Sequence, residues 1–344
     1  MEEKPLSDDL IVADNDDVNV LVIGGTRNLG PGLVERLAAE GARVTVIHRG
    51  VTKCRLPEGV EEIFADRSNE DSLRSATAGR EFGTVIDMTL YTGADAEAAA
   101  RIFAGRCGRY VMISTGQVYL VRQGPIRPFR ESDYAGPVTP APDPADEFEY
   151  DNWTYGAWKR DAEDALMRAL PVTVLRFPMI NSERDHHGRI HGYLCRMADG
   201  GPIVIPSGPH LPLRHVYGDD AVEAIVRAAT GPARIGEAFN IGQDETVTIT
   251  DFLAMLSELA GLRLRIHWAD REMLMRTKLL PACSPFSEPW MSSLDNRKSI
   301  EELGMKYTPV AVYLRRLVEN YRPLLISPPP GYARRAEEIS LENG

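Results

Sequence analysis

A short apolar run that leads directly into a glycine-rich turn is the feature that most restricts the fold of this chain. Residues 20–30 read Val-Leu-Val-Ile-Gly-Gly-Thr-Arg-Asn-Leu-Gly, and a helical pattern follows over residues 31–40. Such a strand–turn–helix holds a dinucleotide pyrophosphate on backbone N–H groups at a helix N-terminus. The β-branched segment at 43–47 completes one βαβ unit, and this context favours a nucleotide site over an ordinary βα turn.

Each glycine of the turn has a distinct expected role. Gly24 permits the tight turn, Gly25 removes side-chain bulk beside the phosphates, and Gly30 lets the helix lie close to the strand. Pro31 suits the first helical turn because its missing N–H leaves no hydrogen bond unmade there.

Strand-like and helix-like segments alternate through the first half of the chain. Strands are predicted at 63–65, 84–88, 110–114 and 172–176, and helices at 70–78, 95–104 and 154–169. This alternation predicts an α/β fold with a doubly wound, mostly parallel sheet. Residues 121–146 are rich in proline and charge and are predicted to form a long loop, which is a common place for function.

Charge and cysteine content argue against several classes of function. The 344 residues carry a formal net charge of −11, which disfavours nucleic-acid binding. No apolar run approaches membrane-spanning length, and residues 1–17 are acidic and polar, unlike a signal peptide. The 4 cysteines show no paired spacing, so we expect reduced thiols in a cytoplasmic protein with neither a membrane nor a nucleic-acid partner.

One histidine cluster raises the question of a metal site. His186, His187 and His191 lie in a polar segment flanked by glycine. We interpret that segment as a solvated loop and predict no metal.

Tyr155 and Lys159 stand four residues apart on the predicted helix at 154–169, so both side chains project from one face. Redox chemistry at a carbonyl or an alcohol needs a group that can donate and accept a proton. A phenol with its ordinary pKa of about 10 is a poor base at neutral pH, but a nearby ammonium and an oxidised nicotinamide favour the phenolate. Ser114 and Thr115 leave the end of a predicted strand, where a hydroxyl can orient the substrate oxygen.

Taken together, these residues resemble the extended short-chain dehydrogenases/reductases, the NAD(P)-dependent epimerase/dehydratase superfamily. The resemblance runs from about residue 18 to 307 and includes the glycine turn, Asp66, the run Ile-Ser-Thr-Gly-Gln-Val-Tyr at 113–119, the Tyr155/Lys159 pair, and the segments 175–178, 215–221 and 239–242. It implies a Rossmann-type sheet with a smaller C-terminal substrate-binding lobe. It also implies that Tyr155 is the acid/base, Lys159 its electrostatic partner and Thr115, with Ser114 beside it, the donor to the substrate oxygen.

The same resemblance implies a set of residues that bind the cofactor. These are Gly24, Gly25, Thr26, Arg27, Asn28, Leu29, Gly30, His48, Arg49, Asp66, Arg67, Met88, Thr89, Lys159, Phe177 and Pro178.

The resemblance further implies how the chain is divided. We expect a tail at 1–17, an NAD(P)-binding domain at 18–178 plus about 213–245, a substrate-binding lobe at about 179–212 and 246–326, and a tail at 327–344. Members of the superfamily often dimerise through a four-helix bundle, which here would include the helices near residues 95 and 154. We therefore expect a homodimer.

Two departures from the family pattern bear on the reaction. Arg27 replaces the middle glycine of the turn, and the resulting Gly-Gly-Thr-Arg is similar to an atypical branch that includes chloroplast stem-loop-binding proteins. Gly116 and Gln117 stand where the sugar 4,6-dehydratases carry an Asp-Glu pair, which removes the acid that would eliminate water. We place Gln117, Asn181 and Arg214 among the substrate-binding candidates; Arg214 is equally suited to meet a phosphate or to pair with a surface carboxylate.

The end of the second strand indicates which dinucleotide is used. NAD-binding folds usually place an acid there, about 20 residues beyond the glycines, to accept from the ribose 2′-OH. This chain has His48 and Arg49 instead. Arg49 can bind a 2′-phosphate through two charge-assisted hydrogen bonds, with added positive charge from Arg27 and Lys53. We expect NADP(H) in preference to NAD(H), with NAD(H) possible; the alternative is a solvated Arg49 and an enzyme indifferent to the phosphate.

These observations favour an NAD(P)-dependent reductase or epimerase. Its substrate would be a carbonyl or secondary alcohol of a sugar-type, nucleotide-linked small molecule, and the sequence does not decide between epimerisation and net reduction. The alternative is a non-catalytic or RNA-binding protein that keeps the same fold. The acidic net charge and the Tyr155/Lys159 pair argue against that alternative.

Overall fold

A seven-stranded parallel sheet forms the centre of the protein. The computed structural model describes residues 19–342, so the predicted tail at 1–17 lies outside the described residues. The strands of this sheet are β1 (Asn19–Ile23), β2 (Arg43–His48), β3 (Glu61–Phe64), β4 (Phe82–Asp87), β5 (Cys107–Thr115), β6 (Val172–Phe177) and β10 (Glu237–Asn240). Four short strands lie outside it: β7 (Ile180–Asn181), β8 (Ile203–Pro206), β9 (Val216–Tyr217) and β11 (Ile266–Ala269).

The helices follow the strands in the predicted alternation through the first half of the chain. They are α1 (Gly30–Ala39), α2 (Glu70–Ala76), α3 (Gly93–Phe103), α4 (Gln117–Leu120), α5 (Glu147–Ala169), α6 (Arg189–Ala198), α7 (Gly218–Thr230), α8 (Ile249–Ala260), α9 (Arg271–Arg276), α10 (Arg297–Leu303), α11 (Val310–Tyr321) and α12 (Arg335–Ser340). Within the described residues, no helix is long and apolar enough to cross a membrane.

The strand order of the sheet confirms the Rossmann-type doubly wound fold. The order is β3-β2-β1-β4-β5-β6-β10, and every neighbouring pair is parallel. The order reverses between β1 and β4, which opens a crevice at the carboxyl ends of these two strands. Nucleotides bind at this position in doubly wound sheets.

Alternation along β1 explains why helices cover both faces of the sheet. Val20 and Val22 point to the face that packs against α1 and α7, whereas Leu21 and Ile23 point to the face covered by α2, α3 and α5. Successive side chains of a strand face opposite ways, so a strand that is apolar on both faces requires cover on both.

A second apolar core lies beyond the sheet. It is built mainly from α6, α8 and α11, with β8 at its edge. Two short parallel pairs, β8 with β11 and β7 with β9, belong to the same region. Residues 181–212, part of the segment assigned to the substrate-binding lobe, contain α6 and the four-residue strand β8.

The C-terminal segment does not form the tail that the sequence predicted from residue 327. Arg335 and Glu338 of α12 are buried. Glu338 accepts hydrogen bonds from Arg196 Nε at 2.8 Å and Arg335 Nη1 at 2.9 Å, while Arg335 Nε donates to Asp199 at 2.7 Å. These buried ion pairs fasten α12 to α6. The prediction failed because a polar helix anchored by ion pairs has no apolar periodicity to reveal it.

Candidate active site

The glycines of the first turn are required by close packing. Gly24 has φ +88°, and a Cβ at Gly24 would lie 2.4 Å from the side chain of Thr89. A Cβ at Gly30 would lie 2.4 Å from the backbone of Gly25, and one at Gly25 would lie 3.0 Å from Val22. The turn therefore brings α1 close to β1 only with glycine at these positions.

The start of α1 leaves hydrogen-bond donors for a ligand. Within residues 19–342, the backbone N–H groups of Asn28 and Leu29 donate to no protein acceptor, and no side chain caps the helix. Free N–H groups at a helix start are the usual partners of a phosphate.

Most residues predicted to bind the cofactor surround one cleft of about 480 Å³ at the carboxyl ends of β1, β2 and β4. They are Gly24, Thr26, Arg27, Asn28, Leu29, His48, Arg49, Asp66, Arg67, Met88 and Thr89. Lys159, Phe177 and Pro178 line the adjoining larger cleft instead. Gly25 and Gly30 lie beneath the turn, where their part is to allow close packing.

Arg67 offers a further test of whether this cleft suits a dinucleotide. Its Nε donates to the buried carboxylate of Asp87 at 3.1 Å, and Tyr110 donates to the same group at 2.8 Å. Arg67 Nη1 is buried and has no hydrogen-bond partner among the described residues, although it lies 3.6 Å from a carboxylate oxygen of Asp95. A buried donor without a hydrogen bond is costly, so this nitrogen and the free N–H groups of α1 fit a ligand rich in acceptors.

The second cleft, about 890 Å³ in volume, is lined by one face of α5. The side chains on this face are Phe148, Asp151, Asn152, Tyr155 and Lys159. Their spacing of three, four and seven residues is the helical repeat. α5 begins at Glu147, earlier than the predicted start at residue 154, and Asp146 caps it by accepting from the backbone N–H of Glu149 at 3.3 Å.

Lys159 is held by main-chain carbonyls one helical turn from Tyr155. Its Nζ donates to the carbonyl of Leu90 at 2.6 Å and of Ile113 at 2.9 Å. Burial lowers the pKa of Lys159 to about 8, against the opposing effect of the carboxylates of Asp87 and Glu163. The side chain is thus fixed in position and remains largely charged at neutral pH.

Tyr155 is a neutral phenol in the protein alone. Burial, with a smaller contribution from Tyr91, raises the pKa of Tyr155 to about 12, while a hydrogen bond with Thr115 opposes the rise. The expectation that an ammonium together with an oxidised nicotinamide favours the phenolate concerns the protein with its cofactor bound and stays a prediction. A protonated phenol is the form that donates to a carbonyl oxygen.

Thr115 and Ser114 have different environments. Thr115 lies beside Tyr155 and opposes the rise in the pKa of that phenol, and its Oγ1 accepts from the backbone N–H of Gln117 at 3.2 Å. The hydroxyl of Ser114 instead donates to the buried carboxylate of Glu163. Ser114 also lines the larger cleft, but its hydroxyl is engaged by Glu163, so its role as a second donor to the substrate oxygen stays a prediction.

A buried polar network behind the site escaped the sequence analysis. Arg176 Nη2 donates to Glu163 at 2.6 Å, and Arg176 Nη1 donates to the hydroxyl of Tyr119 at 2.7 Å. Tyr119 in turn donates to Asn240 at 2.7 Å. These side chains come from α4, α5, β6 and β10, and no local spacing links them.

Of the three substrate-binding candidates, only Gln117 lines the larger cleft. Asn181 is buried, with Nδ2 3.1 Å from Nδ1 of His215. Arg214 Nε donates to the carbonyl of Gln243 and its Nη2 to the amide oxygen of Asn296, both at 2.9 Å. The guanidinium thus does not line the cleft, and neither of these bonds is to a carboxylate, so its role in binding substrate stays a prediction.

The histidine cluster is divided between the cleft and the interior. His186 and His187 line the larger cleft. His191 is buried on α6, 3.0 Å from the carbonyl of Leu324 and stacked on Tyr321. The interpretation as a solvated loop is wrong for His191 because α6 packs it against α11. Within the described residues, no three His, Cys, Asp or Glu side chains are grouped to hold a metal.

The loop before α10 supplies cleft residues that the sequence analysis missed. Glu288 and Trp290 line the larger cleft, as do Pro330 and Gly331 of the C-terminal segment. Burial raises the pKa of Glu288 to about 7; nearby Arg271 lowers it and nearby Glu149 raises it further.

The fold and this site together define a dinucleotide-binding protein with a tyrosine–lysine pair at the carboxyl end of a Rossmann-type sheet. The chain belongs to the NAD dependent epimerase/dehydratase family, whose model matches residues 20–242.

Two curated proteins and a solved structure show the range of its relatives. The chain is 28% identical over 222 residues, 64% of its length, to "2′-dehydrokanamycin reductase" of Streptomyces kanamyceticus. It is 27% identical over 270 residues, 73% of its length, to "chloroplast stem-loop binding protein of 41 kDa b" of Arabidopsis thaliana. The matches span 60% and 65% of these two proteins.

Among solved structures, UDP-glucose 4-epimerase of Thermotoga maritima, crystallised with UDP-glucose, has the same fold. It superposes with a TM-score of 0.68 at 21% identity, over 89% of this chain and 99% of that one.

Proposed function

We propose that the protein is an NAD(P)-dependent oxidoreductase or epimerase that acts by hydride transfer on a carbonyl or secondary alcohol of a sugar-type small molecule. The observation that carries this proposal is that the dinucleotide-type cleft and the Tyr155 cleft share walls. Asn28, Met88, Tyr91, Ile113, Ile180 and His186 line both. A substrate beside Tyr155 is thus next to a ligand in the smaller cleft.

The residues of the chain supply the proton and hold the reacting oxygen. Tyr155 donates its proton to the carbonyl oxygen in the reducing direction and takes it back in the oxidising direction. The hydroxyl of Thr115 orients that oxygen, and Lys159 adds positive charge that favours the phenolate form left after donation. A bound nicotinamide dinucleotide supplies or accepts the hydride.

NADP(H) is the cofactor that we propose the cleft prefers. Arg27 and Arg49 line it. Arg27 Nε donates to the neutral hydroxyl of Thr52 at 2.7 Å, and Arg49 forms no salt bridge with any residue that the structure describes. Two cations without bound carboxylates suit a 2′-phosphate. The family description, which names NAD, supports NAD(H), so the preference for NADP(H) rests on Arg27 and Arg49 alone.

We propose that the protein does not catalyse 4,6-dehydration. A Cβ at Gly116 would lie 2.2 Å from the hydroxyl of Ser292, so this position has no room for the acid of the sugar 4,6-dehydratases. No 4-keto-6-deoxy product is expected from any nucleotide hexose. Such a product at an enzymatic rate would require another general acid.

The names of the relatives support two substrate classes. The solved epimerase was crystallised with UDP-glucose, which supports the nucleotide-linked sugar expected from the sequence. The reductase of a kanamycin derivative supports a sugar without a nucleotide. The stem-loop-binding relative supports the RNA-binding alternative, against which the net charge of −11 argues.

Tyr155→Phe tests the catalytic assignment. The change keeps the ring and its packing but removes the proton, so turnover should fall by roughly 10²–10⁴ while the affinity for NADPH stays unchanged. Turnover is measured as NADPH oxidation with a panel of keto sugars, and cofactor affinity by calorimetry. Tyr150→Phe, on the same helix but outside the cleft wall, is the matched control. Near-normal turnover in Tyr155→Phe would contradict the proposal.

A further inference from the structure

The larger cleft contains a buried carboxyl group without a partner. Glu288 lines the cleft with 8% of its surface exposed and forms no hydrogen bond or salt bridge with any residue in the described range. Its charged neighbours are Arg271, whose Nη1 donates to the carbonyl of Ser287 at 3.1 Å, and Glu149, which accepts from the indole of Trp290 at 3.0 Å. A carboxylate in such a place lacks the donors that it requires.

Two more acceptors face the same space. Asp151 lies one helical turn before Tyr155 on the cleft face of α5 and forms no salt bridge within residues 19–342. Gln117 Oε1 is buried and unpaired among the described residues. Its orientation is fixed because Asn152 Nδ2 donates to the carbonyl of Phe148 at 2.8 Å, which leaves Asn152 Oδ1 to accept from Gln117 Nε2 at 3.2 Å.

The cations that line this cleft are already engaged. Lys159 is bonded to two main-chain carbonyls. Arg189 Nε donates to Asp185 at 3.1 Å, and Arg196 Nε donates to Glu338 at 2.8 Å. Burial lowers the pKa of His187, so this imidazole is neutral at pH 7. A diphosphate, which needs free cations or helix N–H groups, has no free side-chain cation here among the described residues.

We propose that the substrate is a sugar that carries free amines and no nucleotide diphosphate, and that Glu288 and Asp151 each hold an ammonium group. The inference rests on the proposed function and narrows its substrate class. An ammonium supplies three donors, and the cleft offers two carboxylates and the amide oxygen of Gln117 as acceptors. The same carboxylates repel the phosphates of a nucleotide sugar.

The ionisation of Glu288 gives the binding a characteristic pH dependence. Its pKa is about 7 in the protein alone, so the carboxylate that an ammonium requires forms as the pH rises from 6 to 8. The affinity for an amine that stays protonated over this range should therefore increase with pH. Arg271 and Glu149 are the charged groups nearest to Glu288, and the imidazoles of His186 and His187 line the same cleft. The variant Glu288→Gln therefore decides whether Glu288 is the source of the change.

Calorimetry on the NADP⁺-saturated protein tests the inference at pH 8. The probes are kanamycin, kanamycin with every amine acetylated, and UDP-glucose. We expect kanamycin to bind at least tenfold more tightly than either of the other two. Tighter binding of UDP-glucose, equal binding of the acetylated probe, or no binding of kanamycin would overturn the inference.

Variants locate the binding group. Glu288→Gln should weaken kanamycin binding at least tenfold at pH 8, remove its increase between pH 6 and 8, and leave the acetylated probe unaffected. Glu147→Gln, an exposed change of the same charge at the start of α5, is the matched control. Unchanged kanamycin affinity in Glu288→Gln would refute the role of this residue, provided that NADP⁺ affinity shows the variant to be folded.

These binding measurements require no turnover, so they separate the two proposals. If Tyr155→Phe abolishes turnover but kanamycin does not bind, the results support the redox function and contradict the specificity for an amine. If kanamycin binds through Glu288 but Tyr155→Phe retains turnover, the specificity stands and the catalytic assignment falls.

Discussion

Glu288 makes the stability of the folded chain depend on pH. Burial raises its pKa from 4.5 to about 7, so the folded state holds this proton more tightly than the unfolded state. The stability contributed by the protonated form is complete below about pH 4.5 and is lost as the pH rises through about 7. Glu288→Gln stays neutral at every pH. Its free energy of unfolding relative to that of the original protein should therefore rise by up to about 3 kcal/mol as the pH increases from 4.5 through 7.

Urea unfolding at pH 5 and pH 8 measures this difference. Glu147→Gln, which is exposed, should show no comparable change between the two pH values. A Glu288→Gln effect that is equal at both would mean that the carboxyl group has an ordinary pKa.

At Arg49 the expected effect is on cofactor choice. If its guanidinium binds the 2′-phosphate, Arg49→Ala should cost about 1.5–3 kcal/mol of NADPH binding, the range for hydrogen bonds to charged groups, and leave NADH binding unchanged. Titration of both reduced cofactors by calorimetry measures this, with the exposed Arg55→Ala as control. Tighter binding of NADH than NADPH by the original protein would show the preference to be wrong.

Substitutions at Ser114 and Thr115 should affect different properties: the first should lower stability and the second should lower kcat. Thr115→Ala removes the hydroxyl beside Tyr155 and should lower kcat by roughly 10², the scale of losing one donor to a reacting oxygen. Ser114→Ala leaves Glu163 with one donor fewer and should reduce stability by about 1–3 kcal/mol with kcat nearly unchanged. Thermal unfolding and initial rates distinguish the two; a large kcat loss in Ser114→Ala would restore it as a catalytic hydroxyl.

At the scale of elements, the sequence predicted the features that depend on the spacing of residues within one segment. The β1 turn and α1 were predictable because glycines and alternating apolar residues lie within one segment. The shared position of Tyr155 and Lys159 on one face of a helix was predictable because they are four residues apart. Glu288 was not, since its loop reaches the cleft only through the packing of the second core. Asn181 and Arg214 were misplaced because their hydrogen bonds to His215 and Asn296 depend on distant segments.

The outer surface of α3 and α5 is where we propose that two copies of the chain meet. Trp158 on α5 is 50% exposed, which is a large apolar side chain left in water. Trp158→Glu should convert a homodimer to monomer, as measured by light scattering on a sizing column. Trp268→Glu, with 48% exposure in the second lobe, is the matched control. A monomeric original protein would contradict the dimer.

Considered as a whole, the molecule depends on its C-terminal segment to complete the substrate cleft. Pro330 and Gly331 line that cleft, and Glu338 fastens the segment to Arg196 on α6. Glu338→Gln leaves the buried guanidinium of Arg196 without a carboxylate partner, while Arg335 keeps Asp199, so the free energy of unfolding should fall by about 3–5 kcal/mol. We also expect a higher KM for substrate, with NADPH affinity retained because Pro330 and Gly331 do not line the smaller cleft.

Glu337→Gln is the control for this change, because Glu337 pairs with Arg334 at the surface. Thermal unfolding and steady-state kinetics on both variants measure the two effects. Equal stability of the two would show that the ion pairs around Glu338 do not hold the segment.

The helical geometry of α5 also fixes the distance between Asp151 and Tyr155. Asp151 and Tyr155 are separated by four residues, or about 6 Å along the helix axis. A substrate held by its ammonium at Asp151 therefore presents to Tyr155 an oxygen on the far side of the sugar ring, or on a neighbouring ring, and not one on the adjacent carbon. The rigidity of one helix would in this way determine the regioselectivity of the reaction.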